Sequence, residues 1–117
     1  MKKVYYLKSC NTCTRILNDI KWPADVVFQD IKQEAITAAQ LEAMRALSGS
    51  YQALFSKRAQ LYKAMDLKNV QLEEADYKNY ILEHYTFLSR PVVIYNNNIF
   101  IGSSKKNIEN LKAALRE

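Results

Sequence analysis

Two cysteines, Cys10 and Cys13, stand three positions apart in the stretch Ser9-Cys10-Asn11-Thr12-Cys13, and the chain has no others. That spacing suits two chemistries, thiol–disulfide exchange and metal ligation. A zinc site needs about four ligands. Beyond this pair the chain offers one histidine, His84, and carboxylates, so no metal is expected and thiol redox chemistry is the stronger reading. Two small apolar residues without chemistry would suit Cys13 but not Cys10, which sits in a polar turn.

The flanking residues make the two thiols unequal. Lys3 to Leu7 reads as a short buried strand, bounded by Lys8 and Ser9. From Cys13 the apolar positions recur at Ile16, Leu17 and Ile20, the stripe of a helix that faces a core. Asn11 and Thr12 suit its start. Trp22-Pro23 is expected to end it, because proline disfavours helical geometry in the residue before it. Cys10 then lies at a helix N-terminus, where unpaired N–H groups and the positive dipole end favour a thiolate. The same feature can hold an oxyanion beside the sulfur. Cys13 lies one turn further, toward the core. The expected roles are Cys10 as attacking thiolate and Cys13 as resolving thiol.

Asp25 to Asp30 reads as a second strand, parallel to the first. A helical stretch over about 32–88 follows. Thr37-Ala38-Ala39-Gln40 fits a capping box, Leu41, Met44 and Leu47 predict an inner face, and Ser48-Gly49-Ser50 ends that helix. The next helix is expected from near Ser56, with Arg58, Leu61, Tyr62 and Met65 on one inward face. Arg58 there either snorkels to the rim or points into a pocket. Glu73, Glu74 and Asp76 open a third helix, favourably placed for its dipole, with Tyr77, Tyr80, Ile81 and His84 on one face. His84 reads as a core or helix-terminus residue, not as a catalytic base. Beyond Arg90-Pro91, Val92 to Tyr95 and Ile99 to Ile101 form a hairpin through Asn96-Asn97-Asn98. Gly102-Ser103-Ser104 leads into a last helix with Ile108, Leu111 and Leu115 inward. The order β-α-β, helical insertion, β-β-α predicts an α/β fold with a four-stranded mixed sheet in the thioredoxin-like arrangement, as one domain over residues 1–117.

Composition fits that picture. A chain of 117 residues suits one core, and 49% hydrophobic with 25% charged residues is ordinary for a soluble globular protein. No apolar run approaches the roughly 18 residues of a membrane span. The run Val4 to Leu7 is too short for a signal-peptide core, so a cytoplasmic location is expected. The net charge is +5, with basic pairs at Lys2-Lys3, Lys57-Arg58 and Lys105-Lys106. It reads as a solvated surface or as attraction of anionic substrates or an acidic partner. No aromatic-interleaved basic stripe supports direct nucleic-acid binding. A domain of this size is expected to be a monomer.

Three blocks resemble the ArsC/Spx family of thioredoxin-fold proteins. They are Val4-Tyr5-Tyr6 through Cys10-Asn11-Thr12-Cys13, Leu54-Phe55-Ser56-Lys57-Arg58, and Leu82 through His84 to Arg90-Pro91-Val92-Val93. The resemblance spans essentially the whole chain. It implies an arsenate reductase-like oxidoreductase in which Cys10 attacks an oxyanion or disulfide. Arg58 and Arg90 would contact the oxyanion, and Asn11, Thr12 and Pro91 would line the substrate. Reducing equivalents would come from glutathione with glutaredoxin, or from thioredoxin, with no tightly bound cofactor. The family's third arginine falls where this chain has Gly102-Ser103. The histidine and asparagine that precede the reductase cysteine are replaced by Tyr6 and Leu7. A second cysteine at Cys13 is more typical of the Spx branch. There a disulfide switch regulates binding to the C-terminal domain of the RNA polymerase α subunit. From the residues alone, Arg58 also fits a surface arginine and Arg90 a structural pair near the sheet. The resemblance to thioredoxin folds implies a cis peptide at Pro91, with its backbone beside the cysteine loop.

Overall fold

The computed structural model describes residues 1–116 and divides into two compact units. The first joins Met1–Glu34 to Arg90–Glu117, and the second is the continuous segment Ala35–Ser89.

The first unit is built on a four-stranded mixed sheet. Its strands are β1 (Lys2–Tyr6), β2 (Val27–Asp30), β3 (Val92–Tyr95) and β4 (Asn98–Ile101), in the order β2-β1-β3-β4. β1 and β2 are parallel and joined by helix α1 (Asn11–Asn18). β3 runs antiparallel to β1, with Val4 opposite Val93 and Tyr5 opposite Val92. β4 returns beside β3 through a turn in which Asn96 takes a left-handed φ of 58°, a conformation asparagine tolerates. The expected α/β architecture is the observed one.

Side-chain alternation decides what the sheet buries. Val4 and Val93 stand opposite one another and pack with Leu17 and Ile20 from the α1 segment and Leu111 from α5 (helix Lys105–Arg116). β3 reads as a continuous apolar run, and Val92, Val93 and Ile94 are all buried, as a central strand requires. β2 is an edge strand. Its Val27 and Phe28 are exposed, and the strand is shorter than the expected Asp25 to Asp30. α1 ends at Asn18, before the expected stop at Trp22-Pro23. The Trp22 indole N–H donates to the Leu17 carbonyl at 3.0 Å, satisfying one of the carbonyls a helix end leaves open.

The second unit is helical. α2 (Ala38–Ser48) starts on the expected capping box. Thr37 Oγ1 accepts from the Gln40 N–H, and the Gln40 side chain accepts from the Thr37 N–H. It ends at Gly49, whose φ of 91° is the left-handed helix stop that glycine adopts without strain. Leu41 and Met44 are buried, but Leu47 is exposed. Each step of three residues rotates about 60° off the preceding position at 3.6 residues per turn, so the third member of that series leaves the buried face. α3 is short (Gln60–Ala64), and α4 (Glu74–Glu83) is capped by Glu73 and Asp76. Phe55 joins these elements, stacking on Phe87 at 5.3 Å and meeting the Tyr77 ring edge at 4.9 Å.

Leu111 is fully buried where both strands and the α1 segment meet. Leu111→Ala is expected to cost about 3 kcal/mol, the transfer loss plus a residual cavity. Urea unfolding should show a lowered midpoint. A loss below about 1 kcal/mol would mean that this cluster is not the organising core.

Candidate functional site

The cysteine stretch occupies the junction between β1 and α1. After Tyr6 the chain turns, and the Cys10 N–H donates to the Leu7 carbonyl at 3.0 Å. Cys10 keeps an extended backbone (φ −91°, ψ 111°) and is the N-cap of α1. Its carbonyl accepts the first helical hydrogen bond from the Thr14 N–H at 3.1 Å. The Thr14 hydroxyl donates to the Asn11 carbonyl at 3.1 Å. A serine or threonine here would offer its oxygen to the first free N–H groups of the helix. Cys10 offers sulfur instead.

The thiols differ as the sequence pattern expects. Burial works to push the Cys10 thiol up, but it is outweighed. The opposing groups are the Cys13 backbone N–H, the charge and hydrogen bond of the Arg90 guanidinium, and the Thr12 backbone N–H. The net result is a thiol held below its ordinary range, because each of these groups favours the anion. Cys13 is buried completely. Burial raises its thiol to about 11, with the negative charge of Cys10 adding to the rise against a backbone hydrogen bond from Leu7 and the charge of Arg90. Both cysteines are free thiols. Among the described residues no group of three or more His, Cys, Asp or Glu could hold a metal ion.

The sheet register explains how Arg90 reaches this place from eighty residues away in sequence. Because β3 is antiparallel to β1, with Tyr5 opposite Val92, the residues entering β3 stand at the end where β1 leaves the sheet. Arg90-Pro91 therefore lies at the end that carries the Cys10 turn. Its peptide bond is cis, which the sequence by itself left open. β4 is antiparallel to β3, with Ile101 opposite Val92, so Gly102-Ser103 emerges at the same end. The Gly102 N–H donates to the Pro91 carbonyl at 2.9 Å. Gly102 thus stands next to Pro91, with Ser103 following it.

Asn11 and Thr12 are exposed on the first turn of α1, and the Thr12 backbone N–H acts on the Cys10 sulfur. Arg58 belongs to the second unit, and its local setting differs from the expected one. It is exposed and lies in the turn ahead of α3, not in a first helical turn facing inward. Phe55 is held in a bridge to Leu88, the Ser56 N–H donates to the Phe87 carbonyl at 2.7 Å, and Ala59 is extended at ψ 139°. The helix can start only at Gln60, and Met65 beyond it is exposed. His84 stands at the terminus of α4, one of its two expected settings, and not on the inner face with Tyr77 and Ile81. It caps α4 with extended backbone, is exposed, and its Nδ1 accepts from the Thr86 N–H at 3.1 Å.

Contacts around Pro91 and Leu7 carry little signal in the sequence, since most are made by backbone atoms. One side chain does show a hint. The Ser104-x-x-Asn107 spacing opens α5, with Ser104 Oγ accepting from the Asn107 N–H at 3.2 Å. Asn107 Nδ2 also donates back to the Gly102 carbonyl at 2.8 Å.

Comparisons with known proteins agree with this architecture. The family model for the ArsC family matches residues 5–111. A crystal structure of a possible arsenate reductase from Streptococcus mutans UA159 is 26% identical, covers 95% of this chain and 97% of its own, and superposes with a TM-score of 0.71. A protein called YFFB is 21% identical over 98% of this chain and 99% of its own, with a TM-score of 0.79. An arsenate reductase from Vibrio cholerae is 17% identical over 97% of this chain and 98% of its own, with a TM-score of 0.68. No curated protein matches the chain.

Two outcomes are expected from thiol titrations. At pH 7 iodoacetamide should alkylate Cys10 and spare Cys13, and Arg90→Ala should slow Cys10 alkylation about tenfold by removing a charge-assisted contact to the thiolate. Equal rates at both cysteines would refute the asymmetry. Stability should also respond to alkali. Cys13 has a raised folded value of about 11, so the unfolded chain releases this proton first. Its contribution is full below the ordinary thiol range and is lost as pH rises toward 11. Thermal melts of wild type should therefore fall more steeply between pH 9 and 11 than those of Cys13→Ala. Parallel pH dependences would count against it.

Proposed function

The chain belongs to the ArsC family, and from that membership we propose that it is a cytoplasmic thiol-dependent oxidoreductase in which Cys10 is the nucleophile. The observation that carries this reading is the inequality of two adjacent thiols. One is held low by helix N–H groups and Arg90, and the other is buried and held high.

For an oxyanion such as arsenate, the Cys10 thiolate attacks arsenic, a sulfur–arsenic bond forms, and an oxygen leaves as water after protonation. A second thiol then attacks the Cys10 sulfur. The sulfur–sulfur bond forms while the electron pair of the sulfur–arsenic bond stays with arsenic, which leaves reduced by two electrons. For a disulfide substrate, Cys10 attacks one sulfur and releases the other as a thiolate. Cys13 then displaces the second half and leaves a Cys10–Cys13 disulfide. Bonding at Cys10 removes its negative charge, and with it one of the causes that keep Cys13 protonated. The resolving thiol thus becomes easier to ionise only after the first step. Glutathione with glutaredoxin, or thioredoxin, would return the enzyme to its dithiol form.

Charge distribution supports an anionic substrate. Residues Met1–Glu34 and Arg90–Glu117 hold eleven basic and six acidic residues, whereas Ala35–Ser89 holds six of each. The entire net charge therefore belongs to the unit with the cysteines, which favours approach of anions. Arg90 supplies one bidentate contact to such a substrate. We assign a second to Arg58, with Asn11, Thr12 and Pro91 lining the site.

A second reading rests on Gly102-Ser103. Without an arginine there, the Cys10–Cys13 pair would serve as the disulfide switch of an Spx-like regulator. Such a regulator would bind the C-terminal domain of the RNA polymerase α subunit.

A turnover assay with arsenate, glutathione and glutaredoxin separates these readings. Activity lost in Cys10→Ser alone indicates the external-thiol route, and activity lost in both Cys10→Ser and Cys13→Ser indicates the internal disulfide. No turnover of arsenate or of a small disulfide, together with redox-dependent binding of the polymerase domain, would replace the enzymatic reading with the regulatory one.

A further inference from the structure

Arg90 reaches Cys10 from a segment with no regular structure of its own, between the second unit and β3. A short chain of hydrogen bonds that starts on α5 reaches that segment at Pro91. The Gly102 N–H donates to the Pro91 carbonyl at 2.9 Å, extending the β3–β4 pairing by one rung. Gly102 then leaves the sheet at a φ of 89°. A residue in that left-handed conformation at a strand end is free to fray unless its other polar group is tied. Its carbonyl is tied by Asn107 Nδ2 at 2.8 Å. Asn107 is itself fixed, since its backbone N–H donates to Ser104 Oγ at 3.2 Å in the first turn of α5. α5 is in turn anchored by Leu111, which is fully buried in the core.

We propose that Asn107 is a positioning residue that locks the Gly102 turn onto Pro91 and thereby holds the Arg90 guanidinium at Cys10. Asn107 does not touch the sulfur. It acts through backbone bonds on the residue that does. Its carboxamide suits the task because it is a neutral donor. An aspartate of equal size would present an anion to the Gly102 carbonyl, and an alanine would leave that carbonyl to water. The position next to Pro91 gains weight from the absence of a side chain at Gly102. Gly102 has no side chain to tie its own turn, and its carbonyl is held from the helix that follows.

The inference rests on Arg90 assisting the Cys10 thiolate, and its test separates the two claims. The rate of Cys10 alkylation by iodoacetamide is measured against pH for wild type, Arg90→Ala, Asn107→Ala, Asn107→Asp, Ser104→Ala and the Arg90→Ala/Asn107→Ala pair. Asn107→Ala is expected to slow alkylation at pH 7 about threefold and to move the profile to higher pH. Asn107→Asp should slow it at least as much. The double variant should be no slower than Arg90→Ala, because residues that act through one contact are not additive. Ser104→Ala loosens the Asn107 backbone but keeps the Nδ2 donor on the Gly102 carbonyl, so it should move the profile less than Asn107→Ala does. Circular dichroism melts confirm that each variant is folded at the assay temperature. A normal profile for Asn107→Ala beside a shifted Arg90→Ala overturns the role of Asn107 alone. Fully additive effects, or an equal shift from Ser104→Ala, also overturn it. Identical profiles for wild type and Arg90→Ala overturn both claims.

Discussion

A helix N-terminus leaves backbone N–H groups without partners, and at α1 the group set against them is a sulfur. That single constraint organises the chemistry. Cys10 stands at the N-cap with extended backbone, and the backbone N–H groups of Cys13 and Thr12 lower its thiol, because they favour the anionic form. The local sequence dictates this, because the Leu7 carbonyl catches the Cys10 N–H and stops the strand one turn before the helix begins. The arrangement needs no distant contact to exist, but its strength depends on two that are distant: the core that holds α1 in place and the arginine that faces the sulfur.

The core supplies the first. Leu17 and Ile20 anchor the α1 segment against Val4, Val93 and Leu111, so the helix cannot shift along the sheet without opening a fully packed cluster. The antiparallel pairing of β3 with β1 supplies the second, bringing Arg90-Pro91 to the strand end that leads to Cys10. Burial then separates the two cysteines further. Cys13 sits with no exposure, its thiol raised to about 11, while Cys10 is partly exposed and lowered. A pair of identical groups three residues apart acquires two roles because one helical turn carries the second from the solvent edge into the core.

Much of this is legible in the order of residues. Periodicity at Cys13, Ile16, Leu17 and Ile20 places both thiols, and the order of strands and helices places the sheet. The capping box at Thr37 and the stop at Gly49 are readable because they depend only on neighbours in sequence. The misplacement of Arg58 has a physical cause of the opposite kind. Arg58 falls outside its helix because Phe55 and Ser56 pair with Phe87 and Leu88, some thirty residues on. His84 takes the helix-terminus setting that was one of its two expected places, and its imidazole closes the following turn. α1 ends at Asn18, short of Trp22-Pro23, with the Trp22 indole N–H on the Leu17 carbonyl at its end.

The residue pattern alone sets the fold class, the strand-turn-helix setting of the cysteines and the expectation that Cys10 is the nucleophile, since each follows from side-chain types at short spacing. What surrounds Cys10 is decided only in three dimensions. The approach of Arg90, the turn of Gly102 beside Pro91 and the tie from Asn107 depend on strand register. Register is set by which apolar faces bury together across the sheet, and hydrogen bonds between backbone atoms leave no trace in residue identity.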